Sequence, residues 1–327
     1  VQLYPFVQTD GFDVDGFCAA VRLLTLQLCE YGADIVSIDL GGMAEALLAL
    51  ALPYDSIQGR TTAAALAALS TAETALALAD LAARQGAGIG AGRQGFAVTI
   101  KEMRDRLAGG AFSGALSPMD AAALDPSRID RVLHTAVTTR LQAAAVAVER
   151  HGMLAWPLTH ISQTPLGLDA MPAGLSPVVG LVLSSVGDDG TPAHRRLSAS
   201  VEMALTRLGY NSAQIDDIDT YVNGRGTLRD APAINHAVLR ARGFDDAALG
   251  RIDAALAYAA SIDHAMNRWV LGHAFCQDVL GLADDDDDVL AVLGFDAAAV
   301  AAAGLYACGA GTLTGAPRLR PPHQDGF

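Results

Sequence analysis

The sequence predicts a helix-rich α/β protein, and three observations carry that reading. Apolar residues recur at helical spacing along most of the chain. One stretch, 153–190, breaks the rhythm with short apolar runs of strand type set between Pro- and Gly-rich turns. The composition, 51% hydrophobic and 18% charged over 327 residues, provides a sizeable core and excludes a disordered chain, which needs low hydrophobicity and high charge. The expected organisation is an N-terminal helical part, 1–152, followed by a strand-containing part with helical repeats, 153–327, the two forming one continuous domain.

Each element has its own signal. Residues 11–30 keep Val14, Phe17, Cys18, Val21, Leu24 and Leu28 on one helical face. Residues 41–51 form a second apolar segment. Pro53-Tyr-Asp-Ser56 supplies a turn and a helix start, with Asp55 or Ser56 as N-cap. A long alanine-rich helix follows and ends near Gly86. The glycine loop 86–95 leads to a helix over 96–108. A loop rich in Gly, Ser and Pro runs to about 127, and residues 129–150 form another helix that Gly152 stops. Leu154–Ile161 and Val178–Ser185 are the strand-type runs. Helices resume after 193, and the acidic run Asp284–Asp288 reads as a solvated loop, since calcium binding needs alternating ligands and a loop glycine.

The C-terminal third repeats itself. Leu208-Gly-Tyr-Asn211 and Leu293-Gly-Phe-Asp296 open two units, which continue to Gly224-Arg-Gly226-Thr-Leu-Arg-Asp-Ala-Pro232 and Gly309-Ala-Gly311-Thr-Leu-Thr-Gly-Ala-Pro317. The offset is 85 residues throughout (309 against 224), so no gap is needed. Gly243-Phe-Asp245 copies the opening alone. Asn211, Asp245 and Asp296 are expected N-caps, each with an aromatic residue just before it. The glycine tails are turns that allow close backbone approach. They serve either helical units that pack alike or a pair of ligand-facing loops.

Charge and motifs narrow the function. Net charge is −14, which argues against a nucleic-acid surface and against an anionic membrane surface. Lys101 is the single lysine and has no phosphate-loop glycines around it. Thr62–Ala83 is long enough to span a bilayer, but Glu73, Asp80 and its leucine spacing predict a buried helix instead. Cys18, Cys29, Cys276 and Cys308 form no CxxC pair; reduced structural thiols in a cytoplasmic protein are expected. The N-terminal residues have no basic n-region or apolar h-region and read as no signal peptide. Gly90-Ala-Gly92-Arg-Gln-Gly95 matches a dinucleotide fingerprint in letters, but a helix rather than a strand precedes it. No GxSxG elbow and no HExxH occur. Among the eight histidines, His160 in His-Ile-Ser-Gln-Thr164 is the best lone candidate. The carboxylates Asp216, Asp217 and Asp219 are explained by the helix dipole.

The order of the motifs adds a family. Phe12-Asp-Val-Asp-Gly-Phe-Cys18-Ala-Ala-Val-Arg22-Leu and Pro53-Tyr-Asp-Ser-Ile-Gln-Gly-Arg60 with its alanine-rich helix resemble the large chain of ribonucleotide reductases. Further stretches resemble the adenosylcobalamin-dependent class II form. These are Ala213-Gln-Ile-Asp216, Gly226-Thr-Leu, Ala231-Pro-Ala-Ile-Asn-His236, Asn267-Arg-Trp269, Phe275-Cys276, Asp278-Val-Leu-Gly281 and Tyr306-Ala-Cys-Gly309 through Pro317. The resemblance covers nearly the whole chain, most weakly at 86–128 and 153–195. It implies the C-terminal part of a ten-stranded α/β barrel, in which a cobalamin-derived radical passes to a cysteine on a finger loop.

The departures fall where the chemistry would be done. The finger-loop pattern Asn-x-Cys-x-Glu is absent, and the chain reads as starting just after it and ending before the last barrel strands. The family's phosphate segment, Pro-Thr-Gly-Thr-Ile-Gly, has Gln163-Thr164-Pro165-Leu166-Gly167 as its counterpart. Pro165 removes an N–H donor and one glycine is gone, and backbone donors are what such a loop uses. The lysines expected shortly after are Leu183, Ser184 and Ser185. The resulting expectation is a non-catalytic binding or assembly subunit that works with protein partners or as a homo-oligomer. The alternative is part of a working reductase whose catalytic cysteine lies on another chain or in sequence outside this one. No catalytic or metal-binding residue is assigned; Gln163, Thr164, Gly167, Gly226 and Gly311 are the ligand-binding candidates, and adenosylcobalamin is implied by the resemblance alone.

Overall fold

A computed structural model describes residues 1–30, 32, 34–86, 93–107, 126–161, 182–183, 196–283 and 288–324. The chain divides into two compact units, Val1–Val178 and Val179–Asp325.

In the first unit, β1 (Val7–Gln8) and β2 (Gly11–Phe12) form a small antiparallel pair. Asp13 then caps α1 (Val14–Cys29), its carboxylate accepting from the Gly16 N–H at 2.9 Å. Phe6, Phe12 and Phe17 cluster at this start with ring centroids 5.5–6.2 Å apart, a spacing that favours edge contacts. β3 (Ile35–Leu40) alternates strictly, burying Val36, Ile38 and Leu40. Gly41 and Gly42 turn the chain into α2 (Met43–Ala49), all seven residues of which are buried. Ser56 is the residue that caps α3 (Ile57–Gln85), and Gly86 closes it at φ +67°. α4 (Arg93–Leu107) packs on α5 (Arg131–His151), which Asp130 caps and Gly152 ends. β4 (Trp156–Ile161) pairs with β3 in parallel, from Ile35 beside Trp156 to Leu40 beside Ile161. A parallel pair needs a long crossover, and α2 to α5 supply it.

α3 is the spine of this unit, touching α1, α2, α4, α5 and both β3 and β4. It is long and apolar enough to cross a membrane by length and composition, yet 78% of its most apolar stretch is buried inside the protein. Its bulk is alanine, which lets neighbouring helices come close along four turns or more. The Thr71 and Thr159 hydroxyls meet at 2.8 Å and tie it to β4.

In the second unit, β5 (Val182–Leu183) pairs antiparallel with β6 (Arg196–Leu197). Ser198 caps α6 (Ala199–Arg207), and Asn211 caps α7 (Ser212–Asn223) in a full capping box with Gln214. α8 (His236–Ala241) and α9 (Asp246–Leu256) follow, the latter capped by Asp245. Short helices α10 (Ile262–Ala265), α11 (Arg268–Leu271), α12 (His273–Asp278) and α13 (Val289–Val292) lead to α14 (Ala297–Cys308), capped by Asp296. α15 (Pro321–Gln324) ends the described chain. The three repeat openings thus cap three helices, as their sequence predicts. One apolar cluster, with Leu228, Ile234, Phe244, Ile252, Ile262 and Ala303 at its centre, holds these helices together. Among the described residues the architecture is helix-rich with three two-stranded pairs; a ten-stranded barrel is not shown.

Candidate functional site

Three places bear on function: the strand ends of the first unit, the charged layer beside them, and the glycine turns of the second unit.

At the strand ends, the parallel register sets Asp39 beside His160 and Leu40 beside Ile161. In open α/β sheets ligands bind beyond the carboxyl ends of the strands, and here Gly41, Gly42 and the start of α2 occupy that position after β3. Gly42 stands in the left-handed region at φ +70°. The Gln2 amide sits where a Gly41 Cβ would be, 2.6 Å from it, and Glu45 Oε2 lies 3.4 Å from where a Gly42 Cβ would be. Glu45 is 3% exposed on a wholly buried helix. With no charged group offsetting it, burial pushes its carboxyl up from the usual 4.5 to about 7. Sequence reading missed both β3 and Glu45; the signal for the strand was the alternation of Val36, Ile38 and Leu40. Three candidate ligand residues, Gln163, Thr164 and Gly167, lie outside the described residues, as do Gly90 and Gly92 of the dinucleotide-like run and Asp284–Asp287. Gly95 falls inside α4.

The charged layer joins α1, α3 and α5. Glu73, in the middle of α3, is 2% exposed. Arg22 of α1 reaches its Oε1 at 3.3 Å and also binds Asp80, while Arg140 of α5 binds its Oε2. Two guanidiniums thus compensate one buried carboxylate, which removes the penalty that an unpaired buried charge would carry. Cys18 lies beside this layer, and burial pushes its thiol up to about 11, with Arg140 pulling weakly the other way.

In the second unit the two repeats meet through their glycine turns. Arg225 N–H donates to the Tyr306 carbonyl at 2.9 Å, and Ala310 N–H donates to the Tyr221 carbonyl at 2.8 Å. Gly226 N–H donates to Ala307 and Gly311 N–H to Val222 at 2.9 and 3.0 Å. Every bond has its mate 85 residues on (310 against 225), so the repeats are related by a local pseudo-twofold axis. Gly224 and Gly309 face each other across that axis. A Cβ on Gly224 would sit 2.4 Å from the Ala307 carbonyl oxygen, and one on Gly309 2.2 Å from that of Val222. The first glycine of each tail therefore serves the packing of like helical units. The second, Gly226 at φ +63° and Gly311 at φ +66°, faces open space. The symmetry stops beyond the turns. In the first repeat Asp253 accepts from the Leu228 N–H at 3.2 Å and meets His236 Nε2 at 3.1 Å; Pro321 stands at the position that corresponds to His236.

None of the four cysteines is in a disulfide. Cys18, Cys276 and Cys308 are buried in helices, and Cys29 is half-buried at the end of α1. Burial pushes the Cys29 and Cys276 thiols up as well. A radical relay uses a thiol presented to cofactor and substrate from a loop, and the helical, buried Cys18, Cys276 and Cys308 are not presented in that way. Among them no group of three or more His, Cys, Asp or Glu side chains could hold a metal ion.

No protein-family model matches the chain. Among curated proteins it is similar to the vitamin B12-dependent ribonucleotide reductase of Bradyrhizobium diazoefficiens, 30% identical over 352 residues, which is 98% of this chain and 28% of that protein. The enzyme of the same name from Agrobacterium fabrum is 30% identical over 349 residues, covering 98% of this chain and 27% of the relative. The chain therefore spans just over a quarter of the length of the curated relatives it matches. Together with the ordered motifs that run from Phe12 to Pro317, this makes the chain a divergent class II ribonucleotide-reductase-like protein.

Proposed function

We propose that this chain is a ribonucleotide-reductase-like scaffold, built as the C-terminal portion of the family's α/β barrel, that works as a non-catalytic binding or assembly subunit. The observation that carries the reading is the sequence 163–167. Its proline removes a backbone donor and one of the family segment's two glycines is gone, so a nucleotide phosphate meets a loop short of the N–H groups that such a site uses. The burial of Cys18, Cys276 and Cys308 supports the same reading, because none of the three is placed to exchange a hydrogen atom with a bound substrate. Any ligand contact left to this region falls to Gln163, Thr164 and Gly167, whose side chains bring no positive charge. Gly226 and Gly311 are the corresponding candidates in the second unit, as open turns that a partner's backbone can approach. The relatives' dependence on vitamin B12 does not transfer to this chain in the proposed reading.

The test is direct. The purified chain, given adenosylcobalamin, a dithiol and each ribonucleotide in turn, is expected to produce no deoxyribonucleotide and to leave the cobalamin spectrum unchanged. Turnover by the chain overturns the proposal. So does turnover on mixing with a separate chain that carries Asn-x-Cys-x-Glu, which would make it half of a working reductase.

A further inference from the structure

The carboxyl ends of the first unit's strands hold a buried acid that nothing in the fold uses. Residues 1–3 run parallel to the end of β3. Gln2 bridges to Gly41, the Gly41 N–H donates to the Val1 carbonyl at 2.9 Å, and the Leu3 N–H donates to the Gly41 carbonyl at 3.0 Å. β4 is paired to β3 as well, so three parallel segments end side by side, at the edge where α/β sheets take their ligands. Beyond that edge neither Gly41 nor Gly42 brings a side chain. The Gln2 amide fills the place of the first. Beside the second, among the described residues, only two atoms come within 4 Å of where a Cβ would stand: Gln2 Oε1 at 3.2 Å and Glu45 Oε2 at 3.4 Å. Two acceptor oxygens thus border the space over a bare backbone. Gln2 is exposed, so that space opens to solvent on its side.

Glu45 is 3% exposed, and neither its carboxyl nor the Gln2 amide has a hydrogen-bond or ion-pair partner among the described residues. The elements packed on α2 are Tyr4–Phe6 and α3. The first carries no charge. In α3, Arg60 binds the Asp55 carbonyl, Glu73 and Asp80 are held by Arg22 and Arg140, and Arg84 lies in the last turn. No charged group acts on the Glu45 carboxyl, which burial alone pushes up to about 7. A carboxyl withdrawn from water without a partner is costly, and such groups gather at binding and catalytic sites.

We propose that Glu45 and Gln2, at the carboxyl ends of the parallel strands, form a binding site for the primary ammonium group of a small ligand. An ammonium is all donor and carries the charge that the fold does not supply. One N–H goes to the Glu45 carboxylate in a charge-assisted bond and another to the Gln2 carbonyl, and the bare glycines leave room for the approach. An anion is refused by the carboxylate. A hard metal ion takes about six oxygens or more, and only these two side-chain oxygens border the space. The proposal stands apart from the assembly reading and from any turnover of ribonucleotides.

The experiment uses the full chain, labelled with ¹³C at the glutamate carboxyls and ¹⁵N at the glutamine amides, and methylammonium chloride as the probe. The Glu45 resonance is the one that Glu45→Gln removes. At pH 8 methylammonium should move the Glu45 carboxyl and Gln2 amide signals together and to saturation. Its dissociation constant should be at least tenfold below those of potassium and tetramethylammonium at the same ionic strength. At pH 5, where Glu45 holds a proton, binding should be at least tenfold weaker, although the amine and ordinary surface carboxylates keep their charge across that range. In Glu45→Gln the Gln2 signals should no longer respond. Gln2→Leu should weaken binding at least threefold, with the circular dichroism spectrum unchanged. The proposal is overturned if no saturable shift appears at pH 8, or if potassium or tetramethylammonium binds as tightly. It is also overturned if binding is equal at pH 5 and pH 8, if the Gln2 signals still respond in Glu45→Gln, or if Gln2→Leu leaves the affinity unchanged.

Discussion

The two units solve the problem of packing helices in opposite ways. The first hangs on one long helix of alanine, and its close-packed interior admits a buried carboxylate, Glu73, which two arginines from flanking helices hold in place. The second is made of shorter helices, most of them with a side-chain N-cap, and the core of the contact between its two repeats is main chain: four backbone hydrogen bonds around two glycines, flanked by the Tyr221 hydroxyl donating to the Thr314 carbonyl and by Arg225 over the Tyr306 ring. In the first unit specificity rests on side-chain charge, and a charge can be replaced by a similar group at modest cost. In the second it rests on the absence of a side chain, for which there is no substitute.

The largest expected effect follows from that contrast. Gly224→Ala or Gly309→Ala places a Cβ within 2.4 Å of a carbonyl oxygen and forces a left-handed backbone on alanine. A loss of about 4 kcal/mol is expected, confined to the second unit, and thermal unfolding with site-specific hydrogen exchange would separate the two units. Gly226→Ala is the control: it meets open space and should cost only the backbone term, about 1 kcal/mol. Equal losses at Gly224 and Gly226 would contradict the pseudo-twofold packing.

Next in size is the pH dependence of the first unit. Glu45 has its carboxyl raised from 4.5 to about 7 in the folded state. The folded state therefore binds a proton more tightly than the unfolded one. The resulting stability is fully present below about pH 4.5 and is lost as pH rises through 7. By that linkage the difference between pH 5 and pH 8 should be about 3 kcal/mol from this group. Glu45→Gln should abolish it and make the protein more stable than the parent at pH 8. A parent whose stability rises steadily from pH 5 to 8 would show that Glu45 has a partner in solution.

The charged layer should respond less. Glu73→Gln leaves Arg140 uncompensated and Arg22 with Asp80 alone, but both arginines are about one-third exposed and water screens them. A loss of about 2 kcal/mol is expected by chemical denaturation. Glu73→Leu together with Arg140→Met should recover most of it, since a buried ion pair replaced by apolar groups is often neutral. The smallest effect concerns the thiols. Cys18→Ala and Cys276→Ala should each cost about 1 kcal/mol by loss of packing, without change in any ligand binding. Rapid labelling of all four thiols in the folded chain would contradict their burial.

Much of this molecule is legible in its residues. The helix starts at Asn211, Asp245 and Asp296 are local, because a cap needs only its own side chain and an N–H three residues on. So are the stops at Gly86 and Gly152, where only glycine relieves the turn. The gapless offset between the two glycine tails also belongs to the sequence, and so does the burial of the alanine helix, announced by Glu73 and Asp80 within it. What each of these meets was decided elsewhere. β3 is short and its partner β4 lies more than a hundred residues away, so nothing local could announce a parallel pair. Gly224 and Gly226 look alike as letters; one is pressed against the other repeat and the other faces open space, because only the pseudo-twofold axis distinguishes them. Glu45 sits in a helix whose sequence is ordinary, and its carboxyl is abnormal only because the surrounding elements withdraw it from water. Capping and periodicity act over a few residues along the chain, whereas burial, strand pairing and contacts across an axis depend on segments that meet only when the chain has folded.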